Sequence, residues 1–414
     1  MLKSGVAVIP MSMDWDEVKV LFPIKFDPAS FAGEPAWEPF HPLAVSFVNE
    51  LSKALLKDPT VREFPDVAAF AFFCRKANMI RLKENLDKES LFRLGRGLVF
   101  HVTPSNVPVN FAYSLVAGLL SGNVNIVRVP TKEFEQIRII SDAIRQLYDS
   151  PEFTDFLKRI SLIRYDHQSQ ATSVLSALCD VRVIWGGDET IAEIRKSPLR
   201  PRSFDVTFAD RYSFCLINAD QFVEEKHPLE VAAKFYNDTY YFDQNACTSP
   251  HLVIWTGEDF NVEVSRKLFW ENLHEVVLRK QYALQPLWAI DKLTAFYSQA
   301  IQSDGIRRLV SPDNLLWQVE LKDLSADIDK FRSVAGYFAE YHAKSLAEIA
   351  PIFHSKYQTL AYYGFSKSEL SFFMETFRPK GIDRMVPIGQ TTDFSLIWDG
   401  YDFIRTLSRI CEIR

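Results

Sequence analysis

Cysteine is sparse in this sequence, and each one stands alone. The five cysteines, Cys74, Cys179, Cys215, Cys247 and Cys411, form no CxxC pair. That excludes a disulfide framework and a zinc knuckle and suits a reducing compartment. Glycine is scarce at 15 residues. Gly95 and Gly97 precede a strand-like run instead of following one, and the full GxGxxG fingerprint is absent, so an ordinary Rossmann dehydrogenase fits poorly. The eight histidines show no HExxH or other metal-ligand spacing, and no GxSxG elbow announces a serine hydrolase. No stretch approaches the roughly 20 apolar residues of a membrane span. Met1 to Asp14 carries no long apolar run behind a basic head, so no signal peptide is expected and the location is read as cytoplasmic. A net charge of −6 without a basic stripe argues against nucleic acid as the main partner.

What is present is a soluble globular composition, 47% apolar and 24% charged, over 414 residues. That length exceeds one ordinary core and implies two domains or three. Up to about Leu94 the chain reads as an entry region: a short strand over Gly5 to Pro10, a loop broken by Pro23, Pro28, Pro35, Pro39 and Pro42, then helices over Leu43 to Leu56 and Val67 to Leu86.

From Gly97 strands and helices alternate. Leu98 to Thr103, Asn125 to Val129, Ile160 to Arg164, Val181 to Trp185 and Ser203 to Phe208 are predicted strands. Asn110 to Leu120, stopped by Gly122-Asn123, and Lys132 to Tyr148, capped by Thr131, are helices between them, followed by Gln168 to Leu178 and Asp188 to Lys196. Five strands separated by helices imply right-handed βαβ units and a doubly wound parallel sheet. The second half, from about Tyr212, repeats this rhythm less clearly and is read as α/β as well. Its strands are placed at Ser213 to Asn218, Leu252 to Trp255, Thr359 to Tyr363 and Arg384 to Ile388. Helical patterns cover Leu229 to Tyr241, Glu263 to Arg279, Leu287 to Gln302, Leu324 to Lys344 and Gly400 to Ile413.

Four places carry chemistry. The turn after the first strand of the alternating region, Thr103-Pro104-Ser105-Asn106-Val107-Pro108, belongs at the carboxyl edge of the sheet, where open α/β folds bind ligands. A side-chain amide held between two prolines suits an oxyanion donor, although a turn asparagine bonding its own backbone is equally ordinary. Arg128 ends the next strand, where dinucleotide folds read the adenosine ribose; an arginine there, with Lys132 close by, tilts the cofactor toward NADP over NAD, the alternative being a solvated charge. Gly186-Gly187 before a helix would let the backbone approach a pyrophosphate. The fourth place is Phe242-Asp243-Gln244-Asn245-Ala246-Cys247-Thr248-Ser249-Pro250, a lone cysteine among small and amide residues just before a strand. Such a thiol is reachable by a carbonyl substrate; the bland reading is a small buried residue. His101 inside a strand and His251 at a strand start read as structural.

Together these pieces resemble the aldehyde dehydrogenase superfamily, and within it the LuxC-like acyl-CoA reductases. Pro104-Ser105-Asn106-Val107-Pro108 resembles the superfamily's Pro-x-Asn-x-Pro turn. Gly122-Asn123-Val124-Asn125-Ile126-Val127-Arg128 resembles its Gly-Asn-to-Lys strand, with Arg128 in place of the lysine. Trp185-Gly186-Gly187 stands where its Gly-Ser touches the pyrophosphate, and Cys247 falls at the nucleophile. More specific to LuxC-like proteins are Cys247-Thr248-Ser249-Pro250, Asp210-Arg211-Tyr212-Ser213, and the tail from Asp383-Arg384 to Trp398-Asp399-Gly400.

The resemblance implies an aldehyde-dehydrogenase-like α/β fold with a doubly wound Rossmann-type cofactor domain and a second α/β catalytic domain. The boundaries expected are 1–211 for the entry region and NAD(P)-binding domain, 212–385 for the domain carrying the nucleophile, and 386–414 for a C-terminal segment. It implies Cys247 as nucleophile, Asn106 as oxyanion donor, and Thr103, Pro104, Ser105, Arg128, Lys132, Gly186 and Gly187 around NADPH, with NADH second to it. Thr207 stands where oxidative members carry the glutamate that activates water, which points to thioester reduction over aldehyde oxidation. Glu320 is a poor match for the ribose-binding glutamate. By analogy the substrate is acyl-CoA or another acyl thioester, the partner an acyl-activating enzyme, and the assembly a homodimer. The alternatives are an ordinary aldehyde or semialdehyde dehydrogenase and a non-catalytic acyl-binding subunit.

Overall fold

Four five-residue runs, β3 to β6 below, are apolar almost without interruption and have no polar face to turn to water, so they belong at the centre of a sheet covered on both sides. The computed structural model, which describes residues 15–23, 26–88, 91–148, 150–303, 305–309 and 313–414, places them there. The chain divides into two compact units, 1–209 with 394–414, and 210–393.

In the first unit the strands are β1 (Lys19–Phe22), β2 (Arg93–Gly95), β3 (Leu98–Val102), β4 (Val124–Arg128), β5 (Ile160–Arg164), β6 (Val181–Trp185) and β7 (Phe204–Phe208). All but β2 form one sheet in the order β1-β5-β4-β3-β6-β7, parallel except for β1. The chain winds outward from β3 through β4 to β5, then returns to β6 and β7 on the other side, so β3 and β6 flank the point where strand order reverses. The helix Asn110–Leu120 lies close to the sheet: a Cβ added at Gly118 would stand 1.9 Å from Asn125 Oδ1. That helix ends at Gly122, whose φ of +84° an L side chain adopts at a cost.

The second unit is a seven-stranded sheet of β8 (Tyr212–Asn218), β9 (Pro250–Thr256), β10 (Ile306–Leu309), β11 (Trp317–Leu321), β12 (Tyr337–His342), β13 (Tyr357–Tyr363) and β14 (Arg384–Pro387). Its order is β10-β11-β12-β9-β8-β13-β14, with only β10 antiparallel. Burial is continuous along β8 and β9, alternates on β11, and fades on the edge strand β10.

The C-terminal stretch carries β15 (Ile397–Trp398), β16 (Tyr401–Asp402) and β17 (Ser408–Ile410), the last paired with β2. Leu396, Trp398, Phe403, Ile404 and Leu407 join the core of the first unit, and Phe403 stacks near Trp185 and Phe208. Among the described residues no helix is long and apolar enough to cross a membrane.

Several expectations need correction. Gly5 to Pro10 lies outside the described residues. Pro28 and Pro42 open helices instead of breaking them, because proline's missing N–H costs nothing in a first turn. Val67 to Leu86 is two helices, Pro65–Phe73 and Lys76–Asp87. The helix expected from Lys132 starts at Glu135, so Thr131 caps nothing. Leu324 to Lys344 holds a short 3-10 turn and β12, and Gly400 to Ile413 holds one four-residue helix, Phe403–Thr406, between β16 and β17.

Candidate active site

In the first unit, β4, β3 and β6 are neighbours running the same way, so their following turns share one edge. Thr103-Pro104-Ser105-Asn106 follows β3, Lys132 stands beyond the end of β4, and Gly186-Gly187 follows β6. The structure brings these residues to the switch point of a doubly wound sheet, where ligands bind. Thr103 is buried and ties the strand ends together: its backbone N–H and its hydroxyl both donate to the Arg128 carbonyl, at 3.2 and 2.8 Å. Pro104 is half-buried, while Ser105 and Asn106 are exposed. The Arg128 guanidinium lies over the Tyr165 ring and donates to the Tyr165 carbonyl at 3.3 Å, and Lys132, exposed, lies over the Phe134 ring. The helix after Gly187 carries Asp188 and Glu189 in its first turn, and these carboxylates already answer the positive end of its dipole.

Beneath this edge lies a directed chain of hydrogen bonds. The Asn125 amide donates to the Asn123 carbonyl at 3.0 Å, which turns its oxygen toward His101 Nε2, also at 3.0 Å. His101 is therefore the Nε2–H tautomer, and its Nδ1 accepts from the Ser114 hydroxyl at 2.7 Å. Ser114 in turn accepts from the Trp185 indole at 3.0 Å. Burial pushes His101 down to about 4, so the ring is neutral. It braces β3, β4 and β6 and is structural, as expected.

Cys247 lies in the second unit, on the loop entering β9. It is half-buried, whereas Cys74, Cys179 and Cys215 are buried and burial pushes their thiols up; Cys411, on the tail, is the other accessible one. The loop is fixed from both ends. Asp243 and Gln244 have φ of +53° and +61°, the left-handed region, which reverses the chain just before the cysteine. Gln244 is buried and its amide makes four hydrogen bonds. Nε2 donates to the Pro250 and Tyr337 carbonyls at 2.9 and 3.0 Å, and Oε1 accepts from the Gly336 and Tyr337 N–H groups at 2.8 and 3.1 Å. On the other side the Ser213 hydroxyl donates to the Cys247 carbonyl at 2.7 Å and accepts from the Thr359 N–H at 3.2 Å. The side chain is left accessible while its backbone is held, an arrangement a nucleophile needs.

His251 offers no base to this thiol. It is buried against Tyr212 and bonded to the Ser333 backbone, and burial, with Arg332 adding repulsion, pushes it down to about 3. Glu320 is bound by Arg266 at 2.9 Å and by Arg307, inside the second unit. On β7 the acidic side chain is Asp205, and it is engaged by Arg182 at 2.7 Å and Arg195 at 3.2 Å; Thr207 is half-buried beside it.

Three residues of the cysteine's surroundings escaped sequence reasoning as functional. Gln244 carries no local signal, because its partners at Gly336 and Tyr337 are about ninety residues on. Ser213 and Arg384 both sit inside runs already singled out. Arg384 is half-buried, and its guanidinium donates to the carbonyls of Thr391 at 2.8 Å, Gln390 at 3.0 Å and Asp393 at 2.7 Å. The same loop is held from below by Asp238, which accepts from the Gly389 and Thr391 N–H groups at 2.6 and 3.0 Å and is pushed up to about 6 by burial.

Comparison with known proteins accords with this geometry. The structure superposes on lactaldehyde dehydrogenase from Escherichia coli with a TM-score of 0.63 and 10% identity, covering 93% of this chain and 87% of that one. An NAD-dependent benzaldehyde dehydrogenase from Corynebacterium glutamicum gives 0.57 and 14%, covering 92% and 86%. These likenesses establish an aldehyde-dehydrogenase-type fold. A long-chain acyl-protein thioester reductase of Vibrio harveyi is 24% identical over 324 residues, 76% of this chain and 63% of the relative, so the match spans less than two thirds of that protein. The family model for acyl-CoA reductase (LuxC) matches residues 76–411, most of the chain, and the protein belongs to that family.

Proposed function

We propose that the protein reduces an acyl thioester to the aldehyde through an S-acyl intermediate on Cys247, with NADPH as reductant. The observation that carries this is Cys247 itself: an accessible thiol on a backbone fixed by Gln244 and Ser213, in a chain of the LuxC family. The first unit is the cofactor domain in this reading and the second the catalytic one. The donor set at the switch point suits a phosphorylated dinucleotide, since the end of β4 and the residues after it present a guanidinium and an ammonium, Arg128 and Lys132, while the nearby carboxylate, Glu133, is paired with Lys19 and Arg164. The backbone at Thr103-Pro104-Ser105 and Gly186-Gly187 would line the rest of the cofactor. Bound there, NADPH supplies the hydride.

The Cys247 thiolate attacks the thioester carbonyl, and the family resemblance gives the Asn106 amide and the Cys247 N–H the role of oxyanion donors. The leaving thiolate takes the electron pair of the broken C–S bond and departs. After hydride transfer the thiohemiacetal collapses to aldehyde and thiolate. Oxidation to a free acid needs an activated water; the resemblance puts Thr207, which is no base, where the activating glutamate stands, and the one carboxylate on β7, Asp205, is bound by Arg182 and Arg195. The Vibrio harveyi relative is named for an acyl-protein thioester, so the donor here is either acyl-CoA or the acylated partner of an activating enzyme.

The test is NADPH consumption with a series of acyl-CoAs, with Cys247→Ala as control. Oxidation that needs both thioester and Cys247 supports the reading. Turnover of free aldehyde with NAD⁺ and no CoA replaces it with an ordinary dehydrogenase. Asn106→Ala slows acylation by about 100-fold if its amide holds the oxyanion, and an unaltered rate removes it from the mechanism.

A further inference from the structure

We propose that Arg384 is the cation that keeps the Cys247 side chain ionised, a positioning role that rests on the reading of Cys247 as nucleophile. The amino ends of three neighbouring strands bring the segments that carry the two side chains together. Arg384 opens β14 in register with Thr359 of β13, the Thr359 N–H donates to Ser213 Oγ at the start of β8, and that hydroxyl donates to the Cys247 carbonyl. The guanidinium is held by the carbonyls of Gln390, Thr391 and Asp393, neutral acceptors that fix its position.

Burial opposes the charge of Arg384; Asp393, Asp238 and Cys247 favour it. Asp238 is turned away onto the Gly389 and Thr391 N–H groups. Burial pushes the Asp393 carboxyl up and Arg384 draws it down, so Asp393 is the first competitor for the guanidinium. The neighbouring Asp383 is paired with Arg211, and His251 is neutral. When Cys247 loses its proton to solvent, the electron pair left on sulfur is stabilised by a fixed cation that stays protonated throughout the working range. Arginine suits this place better than lysine, whose ammonium readily gives up its proton when buried.

The test is the pH dependence of Cys247 alkylation by iodoacetamide, read by mass spectrometry in a Cys411→Ser background, with Cys247→Ala as blank. Arg384→Met is expected to raise the midpoint by about one pH unit or more. Arg384→Lys should fall between the wild type and Arg384→Met, since a buried ammonium holds its proton less firmly, and Asp393→Asn should move the midpoint down. A general loosening of the fold does not produce shifts of opposite sign. A folded Arg384→Met protein with an unmoved midpoint overturns the proposal. If that variant does not fold, Arg384→Gln decides: a rise in the midpoint supports the proposal, and no change or a fall overturns it. A wild-type Cys247 that resists alkylation at every pH removes the nucleophile reading together with this one; a reactive Cys247 indifferent to Arg384 removes this one alone.

Discussion

The hydroxyl of Ser213 donates to the carbonyl oxygen of Cys247 at 2.7 Å, across 34 residues of sequence. It couples the start of β8 to the loop that presents the thiol. Ser213→Ala leaves that carbonyl and the Thr359 N–H without this partner. The expected result is a fall in kcat of about tenfold or more, because small displacements of a nucleophile are costly. Stability should drop by only about 1 kcal/mol, the net worth of one hydrogen bond. Single-turnover kinetics beside a thermal melt separates the two; equal losses in both would make Ser213 merely structural.

Gln244 is expected to matter chiefly for stability. In Gln244→Leu, four buried backbone groups lose their partners. Each such loss costs roughly 1–3 kcal/mol, so the variant should be destabilised by about 3 kcal/mol or more. Urea denaturation checks this, and a change under about 1 kcal/mol would mean that the loop re-satisfies itself.

These two side chains mark the limit of what the sequence discloses. The centre of the first sheet was legible because strands buried on both faces spell themselves as unbroken apolar runs; Ile160–Arg164 and Val181–Trp185 lie where the pattern puts them. Strand β12 was read as helix because Glu340 interrupts its apolar run. Its burial makes sense only once Arg266, Trp255 and Trp270, remote in sequence, are seen donating to it. Strand β17 pairs with β2 over more than 300 residues, so no local window reveals it. The turn after β3, the end of β4 and the cysteine loop were all legible, being short motifs on predictable strand ends. The residues that hold the cysteine were not, because their partners are distant.

The two buried histidines set an acid limit. Their folded values, about 4 for His101 and about 3 for His251, lie below the ordinary 6.5. The unfolded chain therefore binds more protons than the folded one as pH drops below about 6.5, and folding stability should fall with pH through that window, levelling only below about 4 and 3. Each ring contributes a slope approaching about 1.4 kcal/mol per pH unit. Denaturation curves between pH 7 and 4 should be flatter for His101→Gln than for the wild type, although that variant starts less stable. An unchanged slope would mean that His101 is protonated in the folded protein.

Arg128→Ala tests the choice of nucleotide. Loss of a charge-assisted contact to a 2′-phosphate should weaken NADPH binding by about tenfold or more while leaving NADH nearly unaffected. Quenching of protein fluorescence by each nucleotide gives both constants. Equal weakening of the two would show that Arg128 does not read the phosphate.

Residues 394–414 complete the core of the first unit through Leu396, Trp398, Phe403, Ile404 and Leu407, and the Asn123 amide closes on the Leu407 carbonyl at 2.9 Å. On the ribosome, these residues emerge only after all of 210–393 has been made. The first unit to be translated is thus the last able to finish folding, and a nascent chain that stalls within the second unit holds an open apolar core, with the stacked pair Trp185 and Phe208 lacking the third ring, Phe403.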